Sequence, residues 1–298
     1  MDKQEIMELK KLSAGIRLNI LKMLKWRTYG HLGGAMSIVE LLSVLYGKQM
    51  RHDPKNPQWP ERDYLVLSKG HAGPALYSVL ARQGYFPEEL LYTLNEGGTL
   101  LPSHPDRLRT PGVDATTGSL GQGTSVAAGL GYALRQEGSD QYVYLIVGDG
   151  ELNEGQCWEA FQFLAHYRLN HVIVCIDENK RQLDGYTKAV MDPFDIQEKM
   201  RAFGFYTQKV KGDDEEAISE AIDRAKNVRD QAVCIVLDTI KGQGVPYFEQ
   251  MEDNHSVKFK EADNRAAEEA IEALEKFISG EVKEVCLEKG GAEYVESC

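Results

Sequence analysis

Four short apolar runs rich in β-branched residues punctuate the chain: YLVLS at 64–68, YVYLIVG at 142–148, HVIVCID at 171–177 and AVCIVLD at 232–238. Each is apolar at successive rather than alternate positions, the pattern of a strand covered on both faces. Stretches with helical spacing lie between them. LLSVLYGKQM follows Ser37, residues 125–135 keep small apolar side chains on one side, and residues 156–167 interleave aromatic and polar positions. From Asp213 the run Asp-Asp-Glu-Glu-Ala-Ile puts acids in a first turn, where the helix dipole favours them. Residues 261–280 predict an amphipathic helix. Strands alternating with helices imply an α/β fold with a mostly parallel sheet and helices on both faces.

Residues 95–121 break this rhythm, with Gly97, Gly98, Pro102, Pro105, Pro111, Gly112, Gly118 and Gly121 and no periodicity. A connection of this length without regular structure is usually functional or disordered. A second irregular stretch runs from Lys241 to about Lys258. No linker composition divides the chain, which predicts one domain over 1–280 and a tail over 281–298.

Composition narrows the classes of function. The 298 residues are 42% hydrophobic and 27% charged, with 34 Lys+Arg against 46 Asp+Glu and a formal charge of −12. Binding to nucleic acid or anionic membrane without regard to sequence needs a basic face, which this balance disfavours. No apolar run approaches the roughly 20 residues of a membrane span, and the charged N-terminus MDKQEIMELK lacks a signal-peptide core. Five cysteines, with Cys175 and Cys234 inside strand-like runs, fit a reduced compartment better than a disulfide framework. The expected location is the cytoplasm, and Cys157 is expected to be a packing thiol.

The chemistry begins at YLIVGDGELNEG, where an apolar strand runs into Gly148-Asp149-Gly150. In a parallel sheet ligands gather at the carboxyl ends of strands. The next apolar run ends in Glu178-Asn179-Lys180, so Asp149 and Asn179 belong at the same end of two strands joined by one crossover helix. A carboxylate and an amide oxygen, helped by the Arg181 carbonyl, suit Mg²⁺, with Ca²⁺ able to substitute, rather than zinc. So small an oxygen set holds Mg²⁺ weakly unless phosphates complete its shell, and the pair therefore calls for a diphosphate. A Rossmann reading of Gly121-Gln122-Gly123 fails, because a loop precedes it and no glycine sits three residues after Gly123.

Gly148-Asp149-Gly150 followed by Asn179 resembles the metal–diphosphate motif of thiamine diphosphate enzymes, and the chain from about residue 10 to 260 resembles the N-terminal half of transketolase. Four more segments carry the likeness: Gly30-His31-Leu32-Gly33-Gly34, the element from Asp63 to Ala72, Thr116 to Gly123, and Asp238-Thr239-Ile240-Lys241-Gly242 with His255 downstream. The resemblance implies a thiamine diphosphate-binding fold. It implies that Asp149, Asn179 and the Arg181 carbonyl hold the metal. Gly150 and His71 would approach the diphosphate, with Lys241 beside it, and Gly118, Ser119 and Leu120 would meet the cofactor's rings. His31, His104 and His255 would contact sugar oxygens and shuttle a proton, His255 also lying against the cofactor. Glu154 would join a buried carboxylate network at a subunit interface. One departure is Asn254-His255-Ser256, where the family commonly has Trp before and Gly after the histidine.

The resemblance also implies a missing half. Full-length transketolases carry a second α/β domain that binds the cofactor's pyrimidine ring and supplies a catalytic glutamate, and 298 residues leave no room for it. The expected protein is the N-terminal subunit of a two-chain transketolase, moving a two-carbon ketol unit from a ketose phosphate to an aldose phosphate. Its partner would be a C-terminal subunit with the pyrimidine-binding domain, in an α2β2 heterotetramer whose contact surface includes 95–125 and Glu154. Pentose phosphate, sulfo-sugar and branched-sugar donors all stay open. The alternatives are the α chain of a 2-oxo acid dehydrogenase, a deoxyxylulose phosphate synthase-like protein, or a non-catalytic cofactor-binding module.

Overall fold

A computed structural model describes residues 1–285 and 287. The elements in chain order are α1 (Lys3–Arg27), β1 (Tyr29–His31), α2 (Gly33–Met36), α3 (Val39–Val44), β2 (Tyr64–Leu67) and α4 (Gly73–Gln83). Then come α5 (Gln122–Gln136), β3 (Val143–Gly148), α6 (Gly155–His166), β4 (Val172–Glu178), β5 (Arg181–Gln182) and β6 (Gly185–Tyr186). The last are α7 (Thr187–Val190), α8 (Ile196–Ala202), β7 (Phe205–Lys211), α9 (Glu215–Lys226), β8 (Ala232–Asp238), α10 (Pro246–Gln250), β9 (Ser256–Lys258) and α11 (Glu261–Ser279).

Five strands form one sheet in the order β2-β3-β4-β8-β7, every pair parallel. The four apolar runs are β2, β3, β4 and β8, and β3 is buried at every position. Because side chains alternate between faces, the sheet feeds two cores. Tyr144, Ile146, Ile173, Cys175, Val233 and Ile235 point into the larger one, with α1, α3, α4, α9 and α11. Val143, Leu145, Val147, Val174, Ile176 and Val236 point into the other, with α5, α6 and α8. The doubly covered parallel sheet agrees with the sequence pattern.

The structure departs from the expected list in several places. The apolar pattern does not announce β7, because this edge strand (FYTQKVK) is mostly half-buried and carries two exposed lysines. Nor does it announce α1. That helix starts at a capping box in which Asp2 accepts from the Gln4 and Glu5 amides and Glu5 reaches back to Asp2. The stretch 241–258 is less irregular than expected, since it holds α10 and β9. Residues 94–121 contain no helix or strand, as the Pro/Gly content requires. The expected tail lies largely outside the described residues.

Outside the main sheet, β1 and β9 form a two-stranded antiparallel ribbon that pairs His31 with Ser256. This ribbon brings the first and last functional segments together at one end of the sheet.

Candidate active site

The strand tips at the carboxyl edge of the sheet set the geometry. The Asp149 amide donates to the Asp177 carbonyl, continuing the β3–β4 ladder one residue past the strand. The Asp149 carboxylate is buried and accepts the Gly150 amide at 2.8 Å and the Lys180 amide at 2.7 Å. Lys180 takes a left-handed φ of 66°, a conformation that persists in a non-glycine residue only when its surroundings dictate it. Here the amide is fixed by Asp149, the carbonyl by Thr187 and the ammonium by Asp238 and the Thr239 carbonyl. Gly150 must be a glycine for space: a Cβ there would sit 2.7 Å from that of Gln182 on the β5–β6 hairpin.

Asn179 is buried beside Asp149. Its Nδ2 donates to Asp177 Oδ2 at 2.7 Å, which settles which amide atom faces outward, and Oδ1 accepts the Arg181 amide at 3.1 Å. Both Asp149 oxygens and Asn179 Oδ1 keep lone pairs after these bonds. Burial, followed by the negative charge of Asp177, pushes the Asp149 carboxyl up to about 7. A cation at this point would return Asp149 to its charged form, and an oxygen-only donor set fits a hard divalent ion. Among the described residues no group of three or more His, Cys, Asp or Glu side chains is placed to hold a metal.

Above the tips lie four imidazoles. His31 has ring centroids 5.9 Å from His71, 5.5 Å from His104 and 5.3 Å from His255, and His71 lies 4.8 Å from His255. They come from β1, the turn after β2, the irregular loop and the segment before β9. Burial holds all four below the ordinary imidazole range, His31 at about 4 and His255 at about 3. They are therefore neutral at pH 7. Lys241 Nζ sits 3.2 Å from His255 Nδ1 and 3.1 Å from the Gln182 carbonyl. Burial, then the nearby Lys69 charge, lowers the Lys241 ammonium to about 8, so it is mostly charged at neutral pH. An ammonium donating to Nδ1 fixes the tautomer of His255 with its proton on Nε2.

The glycine-rich loop completes the group. A Cβ on Gly118 would stand 3.2 Å from the His104 ring, so loop and ring lie close together, and Ser119 is exposed beside Leu120. Asp149, Asn179, Arg181, His31, His71, His104, His255, Lys241 and the loop from Gly118 to Gly121 thus belong to one end of the sheet. Glu154 differs in this single chain, since it is exposed at the N-cap of α6. The buried carboxylate of that turn is Glu151, which accepts Ser68 Oγ and the Gly121 and Gly148 amides. Cys157 is a buried free thiol that burial pushes up to about 12, in keeping with a packing role.

Sequence reasoning passes over four buried side chains that organise this site: Lys69, Glu151, Asp177 and Asn254. Asn254 donates to the Lys241 and Phe248 carbonyls, and so ties the lysine segment to the histidine that follows it. The one signal available is a charged residue at the end of an uninterrupted apolar run, as Asp177 stands in HVIVCID. Within 95–125, the expected contact surface, Leu100 and Leu108 (82% exposed) are exposed apolar groups, and Val126 is exposed just beyond it. A larger set follows β5: Leu183, Tyr186, Val190, Met191 and Phe194 (73% exposed). No described helix is long and apolar enough to cross a membrane.

Comparison with known proteins places the chain in a family. Residues 9–284 match the family model described as transketolase, thiamine diphosphate binding domain. The chain is 48% identical over 243 residues to the 6-deoxy-6-sulfo-D-fructose transketolase subunit SqwG of a Clostridium species, covering 82% of this chain and 88% of that protein. It is 38% identical to an apulose-4-phosphate transketolase subunit of Actinobacillus succinogenes, covering 76% and 82%. The crystal structure of transketolase from Campylobacter jejuni superimposes with a TM-score of 0.83 at 29% identity, over 91% of this chain and 43% of that one. The chain therefore spans less than half the length of that solved transketolase and most of the length of the relatives named as subunits.

Proposed function

The chain belongs to the transketolase family as its thiamine diphosphate binding domain, and on that premise we propose that, completed by a second chain, it transfers a two-carbon ketol unit from a ketose phosphate or its analogue to an aldose. The observation that carries this reading is the gathering of His31, His71, His104 and His255 over the Asp149 and Asn179 strand tips. Thiamine diphosphate, when bound, supplies the carbon nucleophile and electron sink for cleaving a carbon–carbon bond beside a carbonyl.

Each residue has a task in this reading. Asp149, Asn179 and the Arg181 carbonyl hold Mg²⁺, and Gly150, His71 and Lys241 receive the diphosphate. Gly118, Ser119 and Leu120 line the rings. The neutral imidazoles of His31, His104 and His255 suit a site that must both donate to and accept from sugar hydroxyls. His255, with Nδ1 held by Lys241, presents Nε2–H to the sugar carbonyl side. His104, half-buried beside Gly118, is placed to hold or move a proton at its outward nitrogen. Oxo-acid decarboxylation has no comparable need for His104.

The exposed apolar groups at 100–126 and 183–194, together with Glu154, are the surface we assign to the partner that carries the pyrimidine-binding domain. The assembly would be an α2β2 heterotetramer in the cytoplasm, with Glu154 buried on association. Relatives named for a sulfo-sugar and for apulose 4-phosphate make 6-deoxy-6-sulfofructose and apulose 4-phosphate test donors beside xylulose 5-phosphate. The test of assembly is light scattering on the chain mixed with a pyrimidine-half chain from its genomic neighbourhood, with thiamine diphosphate and Mg²⁺. A four-chain mass supports the proposal, and a persistently monomeric chain that turns over ketoses unaided overturns it.

A further inference from the structure

Lys69 follows the end of β2, yet its ammonium meets the carboxylate of Asp177 on β4, two strands away. Between them the side chain crosses the tip of β3, where its Cδ passes 3.4 Å from the place a Gly148 Cβ would occupy. Both charged side chains are buried, at 1% and 0% exposure, and they meet at 2.5 Å. The same ammonium donates to the Gly34 carbonyl at 2.7 Å, on the segment that follows His31. Just past β8 the Thr239 hydroxyl donates to the other Asp177 oxygen. The ends of β2, β4 and β8 are thereby joined through one ion pair that passes over the tip of β3.

Asp177 Oδ2 accepts from Lys69, from the Asn179 amide nitrogen at 2.7 Å and from Ser37 Oγ at 2.7 Å. The Asn179 bond is the one that decides function. An amide nitrogen held on a carboxylate turns the amide oxygen the other way, where it accepts the Arg181 amide and keeps a lone pair free. Without the Lys69 charge, Asp177 would be a lone buried anion, and buried ions hold their positions only when paired.

Resting on the reading that this pocket holds a metal diphosphate, we propose that Lys69 is a positioning residue. Its ammonium fixes Asp177, and Asp177 fixes the Asn179 carboxamide with Oδ1 offered to the cation. A further consequence is electrostatic. Lys69 balances Asp177, so Asp149 is left as the single net anionic side chain facing the cation. Lys69 does not itself touch the cofactor in this arrangement; the diphosphate's protein cations are elsewhere.

Two measurements test the role. Manganese binding, read by electron paramagnetic resonance in the assembled two-chain protein with thiamine diphosphate, is compared for the parent, Lys69→Met and Ser37→Ala, with circular dichroism and a cooperative melt as the check of folding. Loss of the partners that orient metal ligands typically weakens metal binding about 10–100-fold. That loss is expected for Lys69→Met, and a change under about threefold for Ser37→Ala, which keeps the ion pair. Folded Lys69→Met that binds manganese within threefold of the parent overturns the role. If the parent itself binds neither manganese nor cofactor, the cofactor reading fails instead. Should Lys69→Met not fold, a crystal structure of the unaltered complex with thiamine diphosphate and Mn²⁺ decides. It is expected to keep the Lys69 ammonium on Asp177 and the Asn179 nitrogen on the same carboxylate, and an ammonium swung onto the diphosphate overturns the proposal.

Discussion

Replacing Gly70 by alanine tests whether the glycine-rich loop, which we propose lines the cofactor, is seated by backbone contact. Gly70 opens the turn that carries His71, and the backbone of Thr117 and Gly118 lies directly against it. An added Cβ would stand 2.8 Å from the Gly118 nitrogen, 2.9 Å from the Thr117 carbonyl carbon and 3.0 Å from the Gly118 Cα. Normal contact for a Cβ begins near 3.4 Å, so one of two main-chain segments has to move by about half an ångström. Neither yields easily. Thr117 is pinned by its hydroxyl on the Leu67 carbonyl at 2.7 Å and by its amide on the Pro105 carbonyl. Overpacking of this kind costs about 1–3 kcal/mol, and the lower chain entropy of alanine in the unfolded state returns about 0.4–1 kcal/mol. The net cost, about 1–2 kcal/mol at mid-range, predicts a melting point roughly 2–3 °C lower for a chain of this size. Since the shifted segment leads into Gly118, Ser119 and Leu120, thiamine diphosphate affinity should also fall, by about tenfold or more. Melting curves and calorimetric titration with cofactor and Mg²⁺ read both effects. A Gly70→Ala protein that melts within 1 °C of the parent and binds cofactor equally well refutes the packing argument.

Further outcomes follow from the same geometry. His104→Ala should lower kcat/KM for the ketose by about 10²-fold while leaving the melting rise caused by cofactor and Mg²⁺ intact, because the ring is assigned to the sugar and not to the metal or the diphosphate; loss of that rise would contradict the assignment. Asp149→Asn should abolish the rise, which in the parent is worth about 2.7 kcal/mol at a hundredfold excess over Kd. His255 sits at about 3 when folded, below its ordinary value of 6.5, so its contribution to stability is fully present above pH 6.5 and is lost as pH falls toward that lower value. Discounted for the ring's partial exposure, this amounts to about 1–2 kcal/mol between pH 7.5 and 4.5. Denaturant unfolding of the parent and His255→Asn at both pH values should show their difference shift by that amount in favour of the variant as pH falls, and an unchanged difference would count against the buried neutral imidazole.

The sheet is legible because β2, β3, β4 and β8 are covered on both faces, and burial on both faces leaves continuous apolar runs. The edge strand β7 escapes for the complementary reason: its half-exposed FYTQKVK has neither a continuous run nor clean alternation. Asp149 and Asn179 can be paired from sequence because one crossover helix separates their strands, which fixes both at the same sheet edge. The histidines are different. His31 and His255 meet only through the β1–β9 ribbon, and no local pattern announces a three-residue ribbon. Lys69 and Asp177 stand 108 positions apart, and a buried lysine looks in sequence like a solvated one. Glu154 is marked through family likeness, whereas the turn buries Glu151, whose carboxylate has three hydrogen-bond donors waiting in Ser68, Gly121 and Gly148.

Ketol transfer itself is the most direct test of the account. The chain, the pyrimidine-half chain and their mixture are each assayed with thiamine diphosphate and Mg²⁺ for transfer from xylulose 5-phosphate, 6-deoxy-6-sulfofructose or apulose 4-phosphate to an aldose phosphate, with pyruvate as the oxo-acid control. Turnover of at least one ketose by the mixture alone, without release of CO₂ from pyruvate, is the predicted result. Decarboxylation of pyruvate by the mixture, or ketol transfer by this chain unaided, would contradict it.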